Sequence, residues 1–202
     1  MTNSILAYFR LFAGVLAIGL CAPALAHSGE GVAGGFVAGF LHPISGIDHL
    51  LAMIAVGIWG ATLGRPLLIA LPVTFPLLMV VGGILGISGI PLPLVETGVG
   101  GSVIVLGLAI ALAWRAPIPV ALAIVSVFGI YHGHAHGTEL PASAAPSAYS
   151  AGFVFCTGLL HLTGIALGLL KRLPQGDSML RAAGGAIAAT GIWIVIGMPG
   201  AA

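Results

Sequence analysis

Six apolar stretches, at 33–63, 66–88, 92–114, 117–138, 149–170 and 179–198, leave this chain few ways to fold in water. Each is long enough to cross the hydrocarbon core of a bilayer, which takes about 20 apolar residues in a helix. Only 5% of the 202 residues are charged and mean hydropathy is +1.18, whereas an average soluble domain carries roughly 25% charged residues. The expected fold is therefore all-α, a polytopic membrane helix bundle of about six transmembrane helices. No separate soluble domain fits in the remaining length. A formal net charge of +1 argues against nucleic acid as a partner.

Residues 1–26, MTNSILAYFRLFAGVLAIGLCAPALA, combine one Arg, a short apolar core and a terminal Ala-Leu-Ala. This is the pattern of a secretory signal peptide cleaved after Ala26, leaving 27–202 as a single transmembrane domain. Cleavage leaves Cys156 as the one cysteine, a small core residue by default. The breaks between spans carry turn residues or charge: Gly64-Arg65-Pro66, Pro91-Leu92-Pro93, Arg115-Ala116-Pro117, 141–148, and Lys171 to Asp177. With the mature N-terminus outside, Arg65, Arg115, Lys171, Arg172 and Arg181 all fall on the inner side, as the positive-inside rule requires. A multi-pass protein of the bacterial inner membrane is expected.

Small-xxx-small pairs at Gly35/Gly39, Gly82/Gly86 and Gly164/Gly168 read as sites of close helix packing. Pro72 and Pro76 in the second span deprive the carbonyls of Leu68 and Pro72 of their intrahelical donors, so a kink is expected there.

Against this apolar background stands HPISGIDHLLAM, residues 42–53. At about 100° per residue, His42 and His49 point within about 20° of one another on a continuous helix, with Met53 one turn further on as a core residue. Pro43 suits the first turn of a helix and Gly46 permits a bend, so a short outer piece joined near His42 to a main helix is expected. Asp48 is either a direct ligand or an acceptor that orients an imidazole.

A second motif, YHGHAHGTE at 131–139, closes the fourth span. His132, His136 and Glu139 follow i, i+4, i+7 spacing and form one stripe, while His134 points the opposite way. The first span runs inward and the fourth outward, which places His49 and His132 each about 10 Å below the outer surface. The two motifs share a depth. Glu96 lies near the outer side of the third span, and His161 is about mid-membrane in the fifth. His134 and His161 read first as helix–helix hydrogen bonders and second as pathway residues.

A carboxylate at the bilayer centre costs ~2.5–3.5 kcal/mol on insertion scales. No intramembrane Lys or Arg compensates Asp48 or Glu139, whereas a divalent cation would. Imidazole with carboxylate and no thiolate suits nickel, cobalt, zinc or ferrous iron, and spacing does not rank these four. The expected metal ligands are His42, Asp48, His49, His132, His136 and Glu139, with Glu96, His134 and His161 as further pathway candidates. Signal cleavage would add the α-amine and imidazole of His27, a compact chelate and a candidate capture site.

At these two motifs the chain resembles the HupE/UreJ family, nickel or cobalt permeases encoded with nickel-iron hydrogenases and ureases. His42, Asp48 and His49 match the family's His-x5-Asp-His, and His132, Gly133, Ala135, His136, Gly137 and Glu139 match its Phe-His-Gly-x-Ala/Val-His-Gly-x-Glu. Tyr131 replaces the Phe at a position that is not a ligand. The resemblance implies nickel as transported substrate, with cobalt or zinc as alternatives, supplied to hydrogenase or urease maturation proteins. No organic cofactor and no enzymatic activity are expected. No ATP-binding loop is visible, so passage would follow the metal gradient, the membrane potential or proton exchange. Three other readings are an accessory protein that holds metal without transporting it, a bis-histidine haem protein, and a zinc hydrolase, for which no nucleophile motif is present.

Overall fold

A computed structural model describes residues 32–139 and 146–197. The described residues form seven α-helices and no strand: α1 Val32–Ser45, α2 Ile47–Leu63, α3 Leu67–Ile87, α4 Val95–Ala111, α5 Ile118–Thr138, α6 Pro146–Gly168 and α7 Gly176–Ile196, with a 3-10 turn at Leu169–Arg172. The signal-like segment 1–26 and His27 lie outside the described residues.

Four helices, α3, α5, α6 and α7, are long and apolar enough to cross a membrane, and the broken pair α1–α2 makes up to five. The bundle is therefore a membrane bundle, but the six expected spans are not equivalent. The first is divided at Gly46, where an extended residue (φ −94°, ψ 118°) turns the axis by 81°. Pro43 sits inside α1 and not in the first turn of the following helix, which corrects the sequence expectation. Gly46 makes the break because its extended conformation ends the α1 ladder and frees its carbonyl to accept from Leu50 N–H at the start of α2. The third expected span is helical over only 17 residues, since Leu94 (φ 56°) and Ala113 (φ 49°) adopt left-handed conformations at its two ends.

Four helix pairs dominate the packing: α3 with α5, α4 with α7, and α6 with both α1 and α2. Each is a glycine seam. A methyl group at Gly82 would collide with the Ile130 carbonyl oxygen, and one at Gly133 with that of Met79. Gly39 meets the backbone of Tyr149 in the same way, Gly164 that of Ile54, and Gly184 lies against the backbone of Gly107 and Ala111. Lipid supplies no hydrophobic drive between helices, so backbone approach of this kind is what makes the contact favourable. Of the three expected pairs, Gly82/Gly86, Gly164/Gly168 and the Gly39 member of Gly35/Gly39 thus do pack helices. Pro72 and Pro76 are accommodated within a continuous α3. On its outer face α3 presents Ile69, Val73, Leu77, Val80, Ile84 and Ile87, all exposed at three- and four-residue intervals, as a lipid-facing stripe requires.

One end of the bundle gathers the basic residues. Lys171 Nζ donates to the carbonyls of Ala61 (2.7 Å) and Thr62 (3.0 Å) at the end of α2, and Arg181 Nε donates to Ala111 O (2.9 Å) at the end of α4. Cationic groups thereby satisfy the free carbonyls and the negative dipole ends of two helices. Arg115 shares the pocket formed there with Lys171, Asp177 and Arg181. The His-rich motifs occupy the opposite half.

Candidate metal centre

The first turn of α2 begins the site. Asp48 Oδ1 accepts from His49 backbone N–H (2.8 Å) and from His49 Nδ1 (2.6 Å). The positive end of the α2 dipole and these two donors stabilise a carboxylate that has no Lys or Arg beside it. The second alternative for Asp48 is therefore the one the geometry adopts: it orients an imidazole, that of its own neighbour. With Nδ1–H committed to Asp48, His49 presents the Nε2 lone pair inward, and Nε2 is buried without a hydrogen-bond partner.

His132 is fixed by a group that the sequence did not single out. Ser102 of α4 donates its hydroxyl proton to Val99 O (2.6 Å), so its oxygen accepts from His132 Nε2 (2.8 Å). That leaves His132 Nδ1 as the bare lone pair, again buried and unpartnered. The two rings are held in opposite tautomers, each by a second residue that aims the free nitrogen. Ser102 carries no sequence signal beyond being a polar residue in an apolar helix.

His136 lies between the motifs. Its ring centroid is 4.3 Å from that of His49 and 4.8 Å from that of His42, and His132 lies 4.8 Å from His49. Both His136 nitrogens are buried without a partner. At the mouth, His42 Nε2 stands 3.5 Å from Glu139 Oε2, and one ligand atom from each of His42, His136 and Glu139 falls within 4.8 Å of the others. Glu139 is about half exposed, so the site opens to solvent at this end.

All six residues expected as ligands therefore meet, but His42 and His49 do not do so by sharing a helix face. The 81° break at Gly46 removes the common axis on which that reasoning depended, and the two rings reach His136 from separate helices. The stripe on α5 is as expected, and so is the divergence of His134, whose Nε2 pairs with Ile90 O (2.8 Å) on the far side of the helix. Glu96 is exposed in the first turn of α4 and makes no hydrogen bond or ion pair among the described residues. His161 lies deeper, beyond Phe75, whose ring is 5.4 Å from His132 and 5.7 Å from His161.

The alternation of His and Gly in the second motif has a packing cause. Gly129, Gly133 and Gly137 form the α5 side of the seam with α3, pressed on the backbone at Phe75, Met79 and Gly83. His132 and His136, one residue before two of these glycines, are thereby held at the seam's edge and turned towards α2. A model of the family described as HupE / UreJ protein matches residues 15–194. The chain belongs to the HupE/UreJ family. Protein HupE of Rhizobium leguminosarum bv. viciae is 44% identical over 179 residues, covering 88% of this chain and 94% of that relative. No solved structure matches.

In this HupE/UreJ chain the donor set fits a borderline divalent cation. Four buried ring nitrogens, on His49, His132 and His136, lack any partner. Leaving a buried polar atom unpaired costs about 1–3 kcal/mol, and a cation would satisfy several at once. The aiming residues should matter accordingly. Ser102→Ala is expected to lower Ni2+ affinity roughly 10–100-fold, the usual effect of removing a group that orients a ligand, with unchanged helix content by circular dichroism. An unchanged affinity by isothermal titration would show that His132 needs no orienting partner.

Proposed function

We propose that this HupE/UreJ protein is a permease that carries Ni2+, with Co2+ as the alternative, into the cytoplasm to supply a hydrogenase or urease. The observation that carries this reading is the convergence of unpartnered imidazole nitrogens from α2 and α5 on one point, beside a mouth at His42 and the half-exposed Glu139. Placing the basic end, with Arg65, Arg115, Lys171, Arg172 and Arg181, in the cytoplasm turns the His42/Glu139 mouth outward. Metal then loses water to Glu139, His42 and His136, and passes to His49 and His132. A structural zinc site would be closed on all sides; here one side is half exposed.

An inside-negative potential favours inward movement by about 2.3 kcal/mol per charge per 100 mV, and a divalent ion carries twice that. Radioactive Ni2+ should therefore enter proteoliposomes of the purified protein saturably without ATP, and faster with the interior negative. Tight Ni2+ binding with no flux would favour the accessory-protein reading. The haem reading is disfavoured by the contact between rings: the centroids of His132 and His136 lie 4.8 and 4.3 Å from that of His49, too close to admit a macrocycle between them.

A further inference from the structure

Below the outer cluster, α6 buries three side-chain polar atoms with no partner, on His161 and Thr157. His161 is 2% exposed and neither ring nitrogen has a hydrogen-bond partner. Thr157, one turn outward on the same face of α6, is fully buried with its hydroxyl unpaired, although a helical Thr ordinarily bonds back to its own helix. On α3, Pro76 removes the N–H that would have paired with the Pro72 carbonyl, and that carbonyl lies beside the His161 ring without meeting it in hydrogen-bond geometry. Each unpaired atom costs about 1–3 kcal/mol when buried, so packing alone supplies no reason for their convergence.

Two features connect this group to the outer cluster. The fully buried Phe75 ring lies against both His132 and His161, so one aromatic ring separates them. Beside Phe75, a cleft of ≈ 200 Å³ between α3, α5 and α6 is lined by both His136 and Thr157. The cleft opens at the bundle surface beside Val80, Ile84 and Ile87 of the lipid-facing stripe, and its inner wall connects His136 with Thr157.

We propose that His161, the Thr157 hydroxyl and the Pro72 carbonyl form an inner station for the same class of divalent cation, with Phe75 as the partition between the two stations. This rests on the reading of the outer cluster as a cargo site. The inner donors are one imidazole and two neutral oxygens, with no carboxylate. They hold a borderline cation more weakly than the outer set, which suits a site from which the ion must leave. The proline at 76 then has a use, because its missing N–H leaves the Pro72 carbonyl without its usual intrahelical donor.

The test is the number of Ni2+ ions bound by the full-length protein in detergent, measured by equilibrium dialysis up to millimolar Ni2+. His161→Ala should bind one weak equivalent fewer than the parent protein and retain the tight binding of the outer cluster. Thr157→Val, close to isosteric, should weaken that same equivalent several-fold. In proteoliposomes His161→Ala should lower maximal uptake about tenfold with little change in half-saturation, because capture occurs at the outer cluster. Undiminished stoichiometry in His161→Ala overturns the inner station. If that variant does not fold, an unaltered weak equivalent in Thr157→Val overturns it instead. Absence of uptake by the parent protein would remove the permease reading while the binding counts still decide the inner station.

Discussion

His49→Ala and His136→Ala are each expected to abolish Ni2+ uptake, with losses beyond the roughly 10–100-fold that follows removal of an orienting group. His49 offers Nε2 and His136 offers a nitrogen from the centre of the cluster, in contact with both His42 and His49. His134→Ala should behave oppositely. It leaves uptake per folded molecule nearly unchanged but strands the Ile90 carbonyl that His134 Nε2 now pairs with, at a stability cost of about 1–3 kcal/mol. His134 and His136, two residues apart in one motif, thus separate by assay, thermal unfolding for the first and flux for the second. Equal loss of flux from His134→Ala would contradict the assignment of faces on α5.

The second large effect concerns glycine. Gly133→Ala should destabilise the bundle by about 1–3 kcal/mol, the usual range for overpacking, and should abolish Ni2+ binding although no ligand is removed. The added methyl would collide with the Met79 carbonyl oxygen, forcing α5 away from α3 and moving His132 and His136 together. Gly158→Ala makes the same chemical change on α6 where nothing lies within 4 Å. It should be silent or slightly stabilising, since Ala exceeds Gly in helix propensity by about 1 kcal/mol. Thermal unfolding in detergent with Ni2+ titration distinguishes the pair; indistinguishable variants would mean that the seam yields without disturbing the site.

Much of this site was legible in the sequence for a simple physical reason. A carboxylate or imidazole in an apolar span is costly, so His42, Asp48, His49, His132, His136 and Glu139 stood out before any geometry was known. The i, i+4, i+7 stripe on α5 could be read from helical periodicity because that helix is continuous. The same periodicity misplaced the relation of His42 to His49, because it assumes one axis and Gly46 supplies two. Gly46 was identified as a permitted bend, but nothing local sets an angle of 81°. That comes from packing α1 and α2 against different stretches of α6. Ser102, Thr157 and Phe75 were not singled out because a hydroxyl or an aromatic ring in a membrane helix is unexceptional. Only the approach of α4, α6 and α3 to the histidines gives them their positions. Glu96 shows the converse, a charge conspicuous in the sequence that is exposed in the fold.

X-ray absorption at the nickel edge of the purified protein at one equivalent of Ni2+ tests most directly the claim that this cluster is the metal site. Nitrogen and oxygen neighbours with the multiple-scattering signature of two or more imidazoles are expected. That signature should shrink in His136→Ala and persist in His134→Ala. A spectrum of hydrated nickel with no imidazole contribution, or one unaffected by His136→Ala, would contradict it.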